Sequence, residues 1–169
     1  RIHIRIHNTQ TGGILHTAYL TRDNCLPTIE VLIRCNFNAR VFVKSSHGTA
    51  KTTGLAKVLI AEMQKMYNRP LRVLYICNRR SNVKKACKDL DLDCYIDENG
   101  KVIPHVVQSS KRLGICEHSL HQLFDANHIA THFDIVLYDE SENAHFDAYT
   151  LSNLNQDNLK QIMGAAKLR

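Results

Sequence analysis

Lys51 stands where an apolar strand breaks into a small-residue loop and a helix begins, in the run Val41-Phe42-Val43-Lys44-Ser45-Ser46-His47-Gly48-Thr49-Ala50-Lys51-Thr52-Thr53. Binding a nucleotide's phosphates needs this layout. Backbone N–H groups of the loop converge on the anion and the helix that follows points its positive end at it. The lysine then reaches the β/γ-phosphates, and the next hydroxyl holds Mg²⁺. The reading assigns ATP to Ser46, His47, Gly48, Thr49, Ala50, Lys51, Thr52 and Thr53, with Lys51 also acting in catalysis and Thr52 as a Mg²⁺ ligand. Two positions depart from the usual pattern, Ser45 and Ala50, where glycine is the rule.

A second motif is Phe133-Asp134-Ile135-Val136-Leu137-Tyr138-Asp139-Glu140-Ser141-Glu142, a short apolar run that ends in adjacent acids. Strands of a parallel sheet are buried on both faces, and ligands bind beyond their carboxyl ends. Asp139 and Glu140 are therefore expected at the same sheet edge as Lys51. Asp139 would hold Mg²⁺, and Glu140 would orient or deprotonate the attacking water. The competing reading is a strand that ends in a solvated acidic turn.

The elements that must position these groups follow from periodicity. Arg1 to Ile6 alternates as a strand does until Gly12-Gly13, although residues 1 to 27 leave the assignment open. Pro27 opens a short helix to Cys35, and Arg40 to Lys44 is the strand before the phosphate loop. Lys51 to Tyr67 is its helix, with Leu55, Leu59, Ile60, Met63 and Met66 on one face and Pro70 beyond its end. Leu71 to Ile76 is a buried strand. Ser81 sits as the N-cap of a helix carrying Val83, Ala86, Cys87 and Leu90. Asp93 to Ile96 and Leu113 to Cys116 are short strands, Glu98 to Lys101 a turn, and Ser119 to Phe124 and Asn153 to Leu168 helical. Strands alternating with helices indicate an α/β fold on a parallel sheet.

Composition frames these motifs. The 169 residues, 44% hydrophobic, suit one domain with a sizeable core. No apolar run approaches a membrane span and no charged-then-apolar signal pattern opens the sequence, so the expectation is an intracellular, soluble protein. Six cysteines without a C-x-x-C pair read as free thiols. The formal charge of +6 tilts the reading toward a polyanionic partner. His118 with His121, and His128 with His132, have helical spacing but no accompanying zinc-ligand set.

Arg79, Arg80 and Ser81 follow a strand and open a helix. Two guanidinium forks, a hydroxyl and free backbone donors suit a phosphate, and a solvated basic helix start is the alternative. Ser119 and His121 reach the same ligand from the neighbouring loop, or serve capping and packing.

Several of these segments resemble superfamily 2 helicases. Lys44 to Thr53 resembles their motif I, Asp139-Glu140-Ser141-Glu142 their motif II, and Leu74 to Ser81 their motif Ia, while Leu113 to Leu123 resembles the motif after it. The forms Arg79-Arg80-Ser81 and Ser119-Leu120-His121 are similar to those of the herpesvirus-type origin-of-replication binding protein family and related plasmid replication helicases, as is Tyr19-Leu20 to the plasmid members. The resemblance covers about residues 17 to 150 and implies a P-loop NTPase (RecA-like) lobe over 17–169, preceded by an extension over 1–16. It implies ATP and Mg²⁺ as cofactors, with single-stranded DNA contacted by Arg79, Arg80, Ser81, Ser119 and His121. In such helicases a further strand and a second RecA-like lobe follow, so the lobe is expected to be incomplete at its C-terminus and inactive alone. A P-loop small-molecule kinase or nucleotide switch, and a degenerate non-hydrolysing lobe, are the rival readings.

Overall fold

The computed structural model describes the backbone of residues 2–8, 14–20 and 39–44, and residues 54, 56–124 and 133–139 in full. The chain divides into two compact units at the Arg69–Pro70 boundary.

The first unit contains a three-stranded antiparallel sheet of β1 (Ile2–Asn8), β2 (Ile14–Leu20) and β3 (Ala39–Lys44), in the order β2-β1-β3. Its register runs from His3↔Lys44 to Asn8↔Ala39 on one side. On the other it runs from Ile2↔Leu20 to Ile6↔His16, with an irregularity before His7↔Ile14. This corrects the expectation that the strand ahead of the phosphate loop stands in the parallel sheet with the acidic strand. Pairing rows that match Ile4 with Val43 and Ile6 with Val41 keep the alternation of both strands in phase, which fixes β3 on β1. Residue 16 lies within β2, so the strand that pairs with β1 crosses the boundary drawn after the extension.

Helix α1 (Lys57–Tyr67) of the same unit buries Ile60 and Met63, while Met66 is exposed. It ends on Asn68, whose left-handed backbone (φ 47°) lets its N–H bond Lys65 O, two residues ahead of Pro70.

The second unit is α/β. Its four-stranded sheet is all parallel, in the order β5-β6-β4-β7, from β4 (Val73–Cys77), β5 (Asp93–Cys94), β6 (Arg112–Cys116) and β7 (Ile135–Tyr138). Every residue of β4 is buried, as a strand covered on both faces requires. Helix α2 (Arg80–Leu90) buries Val83, Ala86, Cys87 and Leu90 along one stripe. The helix lies so close to β6 that a Cβ at Gly114 would fall 2.3 Å from Cys87 Sγ. Arg112, opening β6, donates from Nε to Asp91 O (2.9 Å) and from Nη2 to Leu90 O (2.7 Å), satisfying the last carbonyls of α2.

Three details differ from the sequence reading. Helix α2 starts two residues early: Arg79, in extended conformation, is the N-cap residue, and Ser81 lies inside the first turn. Val83 N–H bonds Arg79 O, so the first helical ring closes before serine can cap it. Only Asp93–Cys94 pairs as β5; Ile96 bridges Val102 across the Asp97–Lys101 turn, where Gly100 adopts φ 80°. Residues 117–123 form a 3-10 helix, and a six-residue helix α3 (Pro104–Ser109) is additional. The helices expected over 27–35 and 153–168 lie outside the described residues.

Candidate functional site

The parallel register brings three strand ends together. Cys77 pairs with Cys116, so Asn78 and Glu117 leave their strands at one level, and Ile76 pairs with Tyr138, so Asp139 leaves β7 one residue earlier, at the level of Cys77. Backbone and thiol bonds lock that edge: Asp139 N donates to Ile76 O (2.9 Å), and Cys116 Sγ to Asn78 O (3.3 Å). Burial holds the Cys116 thiol above its usual range, so it serves as a donor rather than a nucleophile.

Asp139 is fixed by a residue the sequence reading treated only as core. Tyr75, in the middle of β4, donates its hydroxyl to Asp139 Oδ2 at 2.8 Å. Burial, reinforced by the Asp139 carboxylate, pushes the Tyr75 phenol up, so it stays a donor at all physiological pH. The signal was present: a tyrosine in a strand buried on both faces must place its O–H on a partner, and the acid that ends an adjacent strand is within reach. The Tyr75 hydroxyl thus fixes the Asp139 carboxylate at the carboxyl edge of the sheet.

Arg79, Arg80 and Ser81 are exposed at the start of α2, next to this edge. That helix end has no side-chain cap and no acidic residue in its first turn. Two arginines at the positive end of a helix dipole repel it, and a bound anion would relieve the repulsion. The Arg80 guanidinium extends over the turn, with Nη1 3.7 Å from where a Gly100 Cβ would lie. It favours the ionised forms of Tyr95 and Cys116, against the stronger effect of burial, which pushes Tyr95 up to about 12.

The structure separates Ser119 from His121. Ser119 is buried beside Tyr95, a packing position, whereas His121 is exposed, with Nδ1 3.0 Å from His118 O. Between them and β6, Glu117 is 3% exposed, and its Oε2 has no hydrogen-bond partner, a position the sequence reading quoted only as part of a motif. The phosphate-loop residues Ser46, His47, Gly48, Thr49, Ala50, Lys51, Thr52 and Thr53 and the proposed base Glu140 lie outside the described residues.

Among the described residues no cluster of three or more His, Cys, Asp or Glu side chains gathers for a metal, and no helix is long and apolar enough to cross a membrane. Among the described residues Cys77, Cys87, Cys94 and Cys116 form no disulfide. Compared with family models, characterised proteins and solved structures, the chain finds no match.

Proposed function

We propose that this chain is the ATP-binding lobe of a DNA helicase or translocase acting in replication, which couples ATP hydrolysis to the binding of single-stranded DNA. The observation that carries the reading is the tethering of Asp139 at the carboxyl edge of an all-parallel sheet, next to the strand whose exit opens α2 with Arg79 and Arg80. Ligands of α/β sheets bind at that edge. In this reading Lys51 and its loop hold the phosphates, Asp139 and Thr52 hold Mg²⁺, and Glu140 takes the proton of the attacking water. The metal ion, when bound, neutralises charge on the β- and γ-phosphate oxygens. Tyr75 keeps the Asp139 carboxylate oriented, and Arg79 and Arg80 hold DNA phosphates at the uncapped helix end. A second RecA-like lobe is the partner that completes the catalytic site.

The test is the salt dependence of single-stranded DNA binding. With Arg79 and Arg80 both replaced by Ala, the log–log slope should shrink by roughly 1.4, at about 0.7 for each lost phosphate contact. An unchanged slope would remove the nucleic-acid role from this edge. ATP turnover indifferent to DNA in the protein joined to its second lobe would instead favour a small-molecule kinase or switch.

A further inference from the structure

The side of α2 that faces away from the sheet is basic along its length. At about 100° per residue, the buried Val83, Ala86, Cys87 and Leu90 occupy one arc of the helix, and Arg80, Ser81, Lys84, Lys85 and Lys88 occupy the arc opposite. Lys85 and Lys88 are exposed, Lys84 is half-buried, and Arg79 is exposed just ahead of the helix. Asp89 is the one acid between Arg79 and Leu90. Among the described residues none of these cations forms a salt bridge, and Lys84 alone donates a side-chain hydrogen bond, to Glu98 O (3.1 Å). Arg80, Lys84 and Lys88 follow one another at four-residue steps, and like charges so spaced repel. The uncapped helix start, whose dipole also repels cations, adds to the repulsion. A helix that sets charge against charge along a whole face departs from local consistency, as functional surfaces do, and a polyanion lying on that face relieves the conflict.

From this arrangement we infer that the outer face of α2, from Arg79 to Lys88, is a track for the phosphate backbone of nucleic acid. It rests on the nucleic-acid reading given above for Arg79 and Arg80, and extends it with Lys84, Lys85 and Lys88. The dimensions fit. Arg80 to Lys88 spans about 12 Å of helix, the length of roughly three to four phosphates of one strand at about 3.4 Å apiece. The two arginines meet the backbone where helix N–H groups are also free, and the lysines follow it as compact point charges. Helix α2 carries no aromatic residue, so the contact is to backbone charge and tolerates any base sequence. An anionic membrane is the poorer fit. A helix that lies on lipid sinks an apolar face into it, and the apolar face of α2 is already packed on β6 through Val83 and Cys87.

The test uses the full chain and a labelled oligothymidylate, read by fluorescence anisotropy across a salt series. Lys84→Ala, Lys85→Ala and Lys88→Ala together should lower the log–log salt slope by about 2, at about 0.7 per lost contact. The same three positions changed to Arg should keep the slope, because the backbone meets charge there. Alanine is the strongest helix former, so the replacements leave α2 intact. Should melting nonetheless show the triple variant unfolded, Lys85→Gln and Lys88→Gln singly each carry a loss of about 0.7. Arg79→Ala with Arg80→Ala, measured alongside, separates the track from the helix-end contact. A slope that falls in the arginine pair but holds in the lysine variants overturns the track and leaves the helix-end contact standing, whereas a slope that holds in both overturns both. A fall in the lysine variants alone supports the track and removes the helix-end contact. Binding to phosphatidylserine vesicles without binding to oligothymidylate assigns the face to lipid and overturns the proposal.

Discussion

The two sheets of this chain differ in the direction of their strands, one antiparallel and one all parallel. In the parallel sheet β4 is buried on both faces, so polar groups appear only where strands end: Asn78, the buried Glu117 and Asp139 at one edge, with Arg79 and Arg80 opening the next helix. In the antiparallel sheet the backbone register alone is described, from His3↔Lys44 to Asn8↔Ala39 on one side of β1 and from Ile2↔Leu20 on the other. A parallel sheet thus builds a localised site on a rigid base. Substitutions in the parallel unit should act on stability and on a point contact.

The strongest blow to the parallel unit is expected from Gly114→Ala. The new Cβ would sit 2.3 Å from Cys87 Sγ and 3.3 Å from Val83 Cγ1, so helix α2 must move off β6. Overpacking of this kind costs about 3 kcal/mol. Urea denaturation should show that loss, and Cys87→Ala in the same chain should recover most of it. Failure of the second change to rescue the first would mean that α2 does not pack on β6 at that point.

Next in size is Tyr75→Phe. It leaves the ring in the core but removes the hydrogen bond to Asp139, which, as a bond to a charged acceptor, contributes on the order of 1.5–3 kcal/mol. Mg²⁺-dependent nucleotide affinity should fall together with stability. A fall in stability with metal dependence intact would leave Tyr75 a packing residue with no positioning role.

Much of this architecture was legible in the residues. The continuous apolar runs of β4 and β6 identify strands covered on both faces, and the Val83, Ala86, Cys87 and Leu90 stripe identifies α2. The turn at Gly100 announces itself by residue type. What escaped depends on partners far away in sequence. Alternation shows that β1 and β3 are strands, but their pairing rests on a register between segments more than thirty residues apart. The Tyr75–Asp139 bond spans 64 positions: a tyrosine in a buried strand signals that its hydroxyl needs a partner, but no local pattern says which. Ser81 misled because it is the better intrinsic cap, while backbone geometry began the helix at Arg79. Helix α3, six residues long, is too short for a periodic signal.

A smaller effect comes from alkali. Burial, then the neighbouring Cys94, pushes the Cys87 thiol from its ordinary 9.0 up to about 12, and burial takes Tyr95 from 10.0 to about 12. The fold favours the neutral form of both, so the unfolded chain loses these protons first as pH rises. Their contribution is fully present below about pH 9 and declines as pH climbs toward 12. Urea midpoints measured across that window should fall, and Cys87→Ala should flatten the early part of the fall. Midpoints that hold steady to pH 12 would show that these groups are not buried.

The proposed nucleotide role is tested most directly by titration calorimetry with ATP, with and without Mg²⁺. The wild-type chain should bind MgATP. Lys51→Ala should weaken binding by about ten-fold or more through loss of a charge-assisted contact, and Asp139→Asn should remove the gain that Mg²⁺ confers while sparing metal-free binding. Equal MgATP affinity in the wild type and both variants would contradict the account.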